Sequence, residues 1–531
     1  MVNDYAKSNA RYLYFTVFIS GMTVLAVEFS ASRLLGSVFG TSNLVWANVI
    51  GLIMLYLAAG YFLGGRWADR SPYHSTLYRI LIWGAFFSAL IPLISRPVLR
   101  VAALAFVTAE VSLTLGSFMA VIVLFSVPVT LLGCVSPFAV RLAVRDPSGS
   151  GRVAGQIYAV STLGSLLGTF VPTLFLIPEL GTFRTFLLFA GILYLVGCAG
   201  LWQHRGLKAV MRYLWMPLVI AFLAHFSLQG PLRPALAEGT SLLYERESAY
   251  NYIQVQEDAQ GYRYLYLNEG QGIHSQWHPE VYTYGRTWSY FLAAPYFNTP
   301  PVKPSDIRSL LIVGLAAGTI ARQHTHIYGA IPIDGIEIDP AIIEAGALFF
   351  DMNPQRLPNL TVYAQDGRYV LNQLDNRYSV VAVDAYRPPY IPWHLTTVEF
   401  FQEIRDHLLP DGVVAINVGR TTTDRRLVDA MAATISQVFP AVHALDVPYS
   451  FNTILIATKQ PSQPDNLARN LALLPVDAPG ALRETLALAA YSFSEIKPSD
   501  TVFTDDRAPV ETLVDSLVLN FLFSGDIEQI R

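Results

Sequence analysis

Seven apolar stretches, at about residues 12–32, 43–65, 77–95, 117–140, 153–178, 183–202 and 210–228, fill most of the first 230 residues. Each is close to the roughly 20 residues a helix needs to cross a hydrocarbon layer about 30 Å thick. Backbone in lipid must satisfy its own hydrogen bonds, so repeated stretches of this length point to a helical membrane bundle. The first stretch is long, lacks a small-residue cleavage pattern and is followed by others like it. It therefore reads as a span and not as a removable leader. The expected surroundings of this part are the lipid bilayer, with a multi-pass position in the cell inner membrane.

Charge divides the chain at the same place. Residues 1–230 hold 15 Lys and Arg against 6 Asp and Glu; the remainder holds 21 against 34. The net charge of −4 thus hides a sparse basic part and an acidic one. A chain of 531 residues is long enough for at least two domains. The expected division is a bundle of seven or eight helices over 1–230, a linker with a small β unit over 231–300, and an α/β domain over 301–531. The acidic second part argues against nucleic acid as a partner, since phosphate binding needs clustered positive charge. The two cysteines, Cys134 and Cys198, lie in apolar runs and read as buried small residues. No metal is expected, and a homo-oligomer is compatible with such a chain.

Basic residues cluster after the second, fourth and sixth stretches: Arg66 and Arg70; Arg141, Arg145 and Arg152; Arg205, Lys208 and Arg212. Positive loops face the cytoplasm, which with seven crossings puts the acidic domain outside. An eighth crossing over 97–113, carrying Arg100 and Glu110, returns that domain to the cytoplasm but moves the Arg141–Arg152 loop out. The run Gly64-Gly65-Arg66-Trp67-Ala68-Asp69-Arg70 resembles the cytoplasmic loop between helices two and three of major-facilitator transporters. Glu28 with Arg33 in the first stretch reads equally as an intramembrane functional group or as an interfacial pair. Gly164-Ser165-Leu166-Leu167-Gly168 reads as a close helix contact.

Beyond the Pro- and Gly-containing linker, alternating aromatic runs at 252–256 and 262–267 predict a small antiparallel β unit. From about 307, short apolar runs alternate with helical segments: SLLIVG, IDGIEI, LTVYAQD, YSVVAVDAY and GVVAINV. That alternation predicts βαβ units in a largely parallel, Rossmann-like sheet. Gly314-Leu315-Ala316-Ala317-Gly318 follows the first strand as a tight turn into a helix. Glu337 closes the second strand, where an acid can hold ribose hydroxyls. Asp366, before Gly367, and Asp384 fall at comparable strand ends. One such acid is usually a cap or turn residue, whereas three in succession favour a ligand site.

These residues resemble the spermidine synthases, and more closely their membrane-fused bacterial relatives, over about 240–515. The motifs are Ile336-Glu337-Ile338-Asp339-Pro340, Gln365-Asp366-Gly367-Arg368, Asp384-Ala385-Tyr386 with the later His394-to-Phe401 run, and Thr504-Asp505-Asp506-Arg507. The resemblance implies a methyltransferase-like domain behind an N-terminal β unit. It also implies aminopropyl transfer from decarboxylated S-adenosylmethionine, as a cosubstrate and not a permanent cofactor, to a diamine such as putrescine. On it, Asp384 is the general base, and Gly314, Gly318, Glu337, Asp339, Asp366, Gly367 and Asn251 line the cosubstrate. His274, Tyr284 and Asp505 face the small-molecule amine, and the stretch 268–275 matches a gating loop.

Several positions depart from the family, mildly at Asn251 and His274, which stand where it usually has Gln, and more sharply at two others. Ala317 stands where family members anchor the amine with an acid, and Arg387 where a second acid helps bind the diamine. Glu269, Glu280 and Asp505 are candidate replacements. Three readings follow: an aminopropyltransferase; an S-adenosylmethionine-related transferase with another acceptor; and a non-catalytic polyamine- or nucleoside-binding transporter or sensor. An adenosyl cosubstrate favours the cytoplasmic side for the domain.

Overall fold

The computed structural model describes residues 2–39, 43–108, 113–144, 146–228, 239–268, 272–385, 391–514 and 516. The chain forms two compact units, Met1–Arg233 with Glu247–Ala249, and Pro234–Arg246 with Tyr250–Arg531.

Among the described residues of the first unit, seven helices are long and apolar enough to cross a membrane. They are Ala10–Gly36, Trp46–Arg70, His74–Ser95, Ser117–Ala143, Ser150–Leu180, Thr182–Arg205 and Leu207–Phe226. The eighth candidate is not separate. Residues 97–108 continue the helix His74–Thr108, which holds Pro92 and Pro97, and Glu110 lies outside the described residues. Proline breaks a soluble helix, but apolar flanks and neighbouring helices let one run through it here. The Gly64–Arg70 run is likewise the end of the helix Asn43–Arg70, with Asp69 paired to Arg141 at 3.2 Å.

Small residues set the helix contacts. A Cβ at Gly164 or Gly168 would collide with the carbonyl oxygens of Phe18 and Met22 on the first helix. Ser165 donates to the Gly21 carbonyl at 3.2 Å beside them. Small side chains let two backbones meet where lipid-facing helices gain nothing from ordinary hydrophobic burial. Large apolar side chains such as Phe62, Leu195, Leu218 and Phe222 remain exposed on the outside. Both cysteines are free, Cys134 buried and Cys198 partly so.

The second unit opens with a four-stranded sheet in the order β1-β2-β3-β4: β1 Ser241–Glu247, β2 Tyr252–Glu257, β3 Arg263–Leu267 and β4 Ile273–Trp277. Neighbours β2/β3 and β3/β4 are antiparallel. An eight-stranded sheet follows, built from β5 Leu310–Val313, β6 Ile333–Ile336, β7 Leu360–Tyr363, β8 Tyr378–Val383, β9 Leu408–Gly419, β10 Ala441–Asp446, β11 Asn452–Thr458 and β12 Phe493–Ser494. Its order is β12-β10-β11-β9-β8-β5-β6-β7. The pairs β7/β6, β6/β5, β5/β8 and β8/β9 are parallel, while β9/β11, β11/β10 and β10/β12 are antiparallel. The sheet is thus half parallel, with an antiparallel flank that the sequence reading did not include.

Alternate residues of β5 enter opposite cores. Leu311 and Val313 join Phe400, Phe401 and Met431, and Leu310 and Ile312 join Phe291, Tyr296 and Leu486. A strand covered on both faces has no polar side, which is why these runs are continuously apolar. The chain leaves β5 towards β6 and β7 and returns on the other side as β8, so the strand order reverses between β5 and β8. Ligands of open α/β sheets bind at the carboxyl ends beside such a reversal.

Gly168→Leu should lower the detergent-solubilised protein's thermal stability by at least ~1–3 kcal/mol, the usual cost of overpacking. Gly155→Leu, on the same helix but facing open space, should leave the unfolding temperature unchanged.

Candidate active site

The carboxyl ends of β5 and β8 lie against one another. The Asp384 amide donates to the Val313 carbonyl at 2.8 Å. A Cβ on Gly314 would lie 2.5 Å from the Ala385 nitrogen, and Gly314 has φ +90°. Only a residue without a side chain takes that angle and permits that approach. Gly318, at φ +86°, then starts the helix Thr319–Tyr328 from a left-handed position. The glycine turn and the acid after β8 are thereby brought to one place.

Asp384 is mostly, not completely, buried. Asn417 Nδ2 donates to its Oδ1 at 2.9 Å, and the Trp288 indole N–H lies near enough to oppose the rise in its pKa. Neither group carries charge. Burial therefore pushes the carboxyl up to about 7, against the smaller opposing effect of these groups.

Glu337 follows β6. Its Oε2 accepts the Ala316 amide at 2.9 Å and its Oε1 the Asp339 amide at 3.1 Å. Burial again pushes the carboxyl up to about 7, with backbone donors opposing. Each oxygen keeps a second lone pair for a ligand hydroxyl. Ala316 holds φ +48°, a conformation uncommon outside glycine, and the carboxylate secures it from the neighbouring strand end.

The other acids are differently engaged. Asp339 caps the helix Pro340–Phe349 through the Ala341 amide and accepts Asn251 Nδ2 at 2.9 Å. Asn251 in turn accepts from Asn268 at 2.9 Å, so the early β unit is tied to the acid beside Glu337. Asp366 caps Gly367–Leu371 through the amides of Arg368 and Tyr369, and its Oδ2 faces His394 Nε2 at 3.0 Å. Asp505, expected on the amine side, points elsewhere. Arg368 grips both its oxygens at 2.7 and 2.8 Å, Thr397 donates to it at 2.7 Å, and the guanidinium holds its carboxyl below the usual range. Arg368 also binds Glu403. A guanidinium fork matches a carboxylate edge, and here it spends that fork on structure.

The residues expected on the acceptor side are less concentrated. His274 lies in β4, with Nε2 shut from solvent and without a hydrogen-bond partner among the described residues. Burial pushes its imidazole down to about 4, so it is neutral. The stretch expected as a gating loop is therefore partly strand: Ile273–Trp277 pairs with β3, and Glu269 lies outside the described residues. Tyr284 donates to the Val281 carbonyl at 3.0 Å and accepts from Arg322 at 3.3 Å; burial pushes its phenol up to about 12. Glu280 is exposed. Ala317 is buried among Ile253, Val255 and Ile342, and its amide donates to Ser275 Oγ at 2.9 Å. Arg387 lies outside the described residues.

Residues 298–463 match the family model of the spermine/spermidine synthase domain. The second unit carries a spermine/spermidine synthase domain. The chain is 33% identical over 289 residues to a Bifidobacterium longum protein named as a probable polyamine aminopropyl transferase, covering 52% of this chain and 62% of that one. The match thus spans less than two thirds of that relative's own length. Identity to the polyamine aminopropyltransferase of Vibrio vulnificus is 26% over 260 residues, covering 48% of this chain and 82% of the relative. A solved structure of a probable spermidine synthase from Corynebacterium glutamicum aligns with a TM-score of 0.38 and 19% identity, over 49% of this chain and 98% of that one.

Sequence reasoning missed three partners in the synthase domain. Asn417 left a signal, since it is the one polar residue within the apolar run GVVAINV. Ser275 was included only as the end of the 268–275 stretch, without its bond to the Ala317 amide, and Trp288 left no signal because it lies on an element outside the βαβ pattern.

Raised carboxyl values make a pH prediction. Asp384 titrates at about 7 when folded against about 3.9 when unfolded. Its stabilising contribution is complete below about pH 4 and is lost as pH rises through about 7. Asp384→Asn should therefore gain thermal stability over the wild type at about pH 8 relative to about pH 5, by on the order of 3 kcal/mol. Calorimetry of the full chain at the two pH values measures it.

Proposed function

We propose that the protein is a membrane-embedded aminopropyltransferase. The synthase domain takes the aminopropyl group of decarboxylated S-adenosylmethionine and passes it to a diamine such as putrescine, giving spermidine. The observation that carries this reading is Asp384, a buried carboxylate held by neutral donors where the strand order reverses, directly beside the glycine turn.

Each residue has a task in that chemistry. A protonated amine has no lone pair for attack, so a carboxylate must orient it and accept its proton. Ionised Asp384 takes that proton as the amine nitrogen bonds to the methylene carbon and the carbon–sulfur bond breaks. The bonding pair leaves with sulfur as neutral methylthioadenosine. Glu337 offers its free lone pairs to the ribose hydroxyls. Asp366 with Gly367 meets the adenine, through the turn that the carboxylate caps. His274 and Tyr284 border the acceptor, and two cationic substrates suit a pocket of carboxylates.

A second reading rests on Ala317. Its side chain is buried in an apolar cluster and offers no charge to an aminopropyl ammonium. S-adenosylmethionine itself, used on a different acceptor, is the transferase chemistry compatible with that. Methylated product from S-adenosylmethionine, with no methylthioadenosine from the decarboxylated donor, would select it.

Full-length protein given decarboxylated S-adenosylmethionine and putrescine should release methylthioadenosine and form spermidine. Asp384→Asn should cut the rate by about 10²–10⁴-fold, the span of general-base effects. The base must be ionised to act, so kcat/KM should rise with pH through about 7. No release with any diamine would sink the reading.

For the bundle, the seven apolar helices support membrane insertion with lipid as the surroundings. An adenosyl donor drawn from the cytoplasm requires the domain on that side, so a reporter fused at the C-terminus should report a cytoplasmic position. The basic loops argue the opposite sidedness for seven crossings, which makes this measurement decisive. An external signal would separate the domain from its donor.

A further inference from the structure

The base is held by more than one layer of amides. Register places Asp384 beside Asn417, because Val383 pairs with Ile416 across β8/β9. On the next strand, Asn452 pairs with Gly419 and Ile454 with Asn417. Asn452 thus sits diagonal to Asn417 on the same face, and the residue directly opposite it has no side chain to compete. Diagonal neighbours across antiparallel strands are within side-chain reach. Asn452 Nδ2 donates to Asn417 Oδ1 at 2.8 Å, and Asn417 Nδ2 donates to Asp384 Oδ1 at 2.9 Å.

An amide carries an acceptor at one tip and donors at the other. Once Asn452 donates to the oxygen of Asn417, the amino group of Asn417 must face Asp384. The reversed amide would aim a lone pair at the carboxylate, an arrangement tolerable only while that carboxyl is protonated. The ionisable side chains after the flanking strands are held elsewhere. Glu337 is bound by the amides of Ala316 and Asp339, and Arg420 pairs with Asp446 at 3.3 Å. Among the described residues, uncharged groups thus orient the carboxylate.

We propose that Asn452 and Asn417 form a two-amide relay that fixes the orientation of the Asp384 carboxylate, making both positioning residues for the base. The proposal rests on Asp384 being that base, and its central test does not need turnover. Infrared titration of the full-length protein follows the carboxylic-acid band of Asp384, assigned by its loss in Asp384→Asn. Asn417→Ala should raise the midpoint of that band by about one pH unit, a tenfold change in the ionisation constant. Asn452→Ala should raise it by a smaller amount, since Asn417 stays but is free to turn. The double variant should match Asn417→Ala alone, because members of one network do not act additively. Asn452→Ser, polar but too short to reach, should behave as Asn452→Ala does and serves if the alanine variant does not fold.

A midpoint unmoved by both Asn452 variants, or shifts that simply add, would overturn the relay. Where transfer is measurable, the acid limb of kcat/KM should follow the infrared midpoint while KM for the donor stays constant. Absence of transfer with a midpoint that moves as described would defeat the functional reading and leave the relay standing.

Discussion

The Val313 carbonyl and the Asp384 amide share a hydrogen bond of 2.8 Å, and on it the geometry of the site depends. It joins the ends of two strands that are adjacent in the sheet and 70 residues apart in sequence. Because Gly314 has no side chain, the backbone after β8 can lie directly against the turn after β5. A larger residue would prise the two ends apart, and with them the glycine turn and Asp384. The adjacent contacts extend the same junction. Glu337 reaches back to the turn through Ala316, and Ser275 reaches in from the small sheet to Ala317.

Much of this was legible in the residues, for identifiable reasons. A span needs length and apolarity, and both are local properties, so all seven helices stood out. Strands buried on both faces are continuously apolar, so β5 and β8 stood out, while β6 and the edge strand β7 were found from their place in the βαβ alternation. The antiparallel flank of β10 to β12 did not, because polar residues such as His443, Asp446 and Asn452 interrupt it and it lies away from the βαβ rhythm. The candidate acids were found because acids at strand ends are visible, but their roles were not. A carboxylate that caps a helix and one that faces a pocket look alike until the surrounding hydrogen bonds are known. Asp366 and Asp339 turned out to be capping groups.

Charge is distributed by function within the second unit. Arg368 draws together Glu403 and Asp505, so three charges from three separate stretches neutralise one another in large part. Their fixed pairing holds the helix after Asp366, the helix Val398–Asp406 and the chain around 505 in one arrangement. Asp384 and Glu337 have no such cation among the described residues and receive only neutral donors. The same residue type thus serves as a brace in one place and, among the described residues, stands without a guanidinium partner in another.

Those two uncompensated acids have a further consequence. Buried carboxyls that titrate near 7 hold protons for part of the time at neutral pH. A cation arriving beside them favours the ionised form, so binding must expel protons into the surrounding water. Occupancy of the site is then tied to the proton concentration of whichever compartment bathes it. A shift in that compartment's acidity would alter how readily the domain fills, before any bond is made or broken.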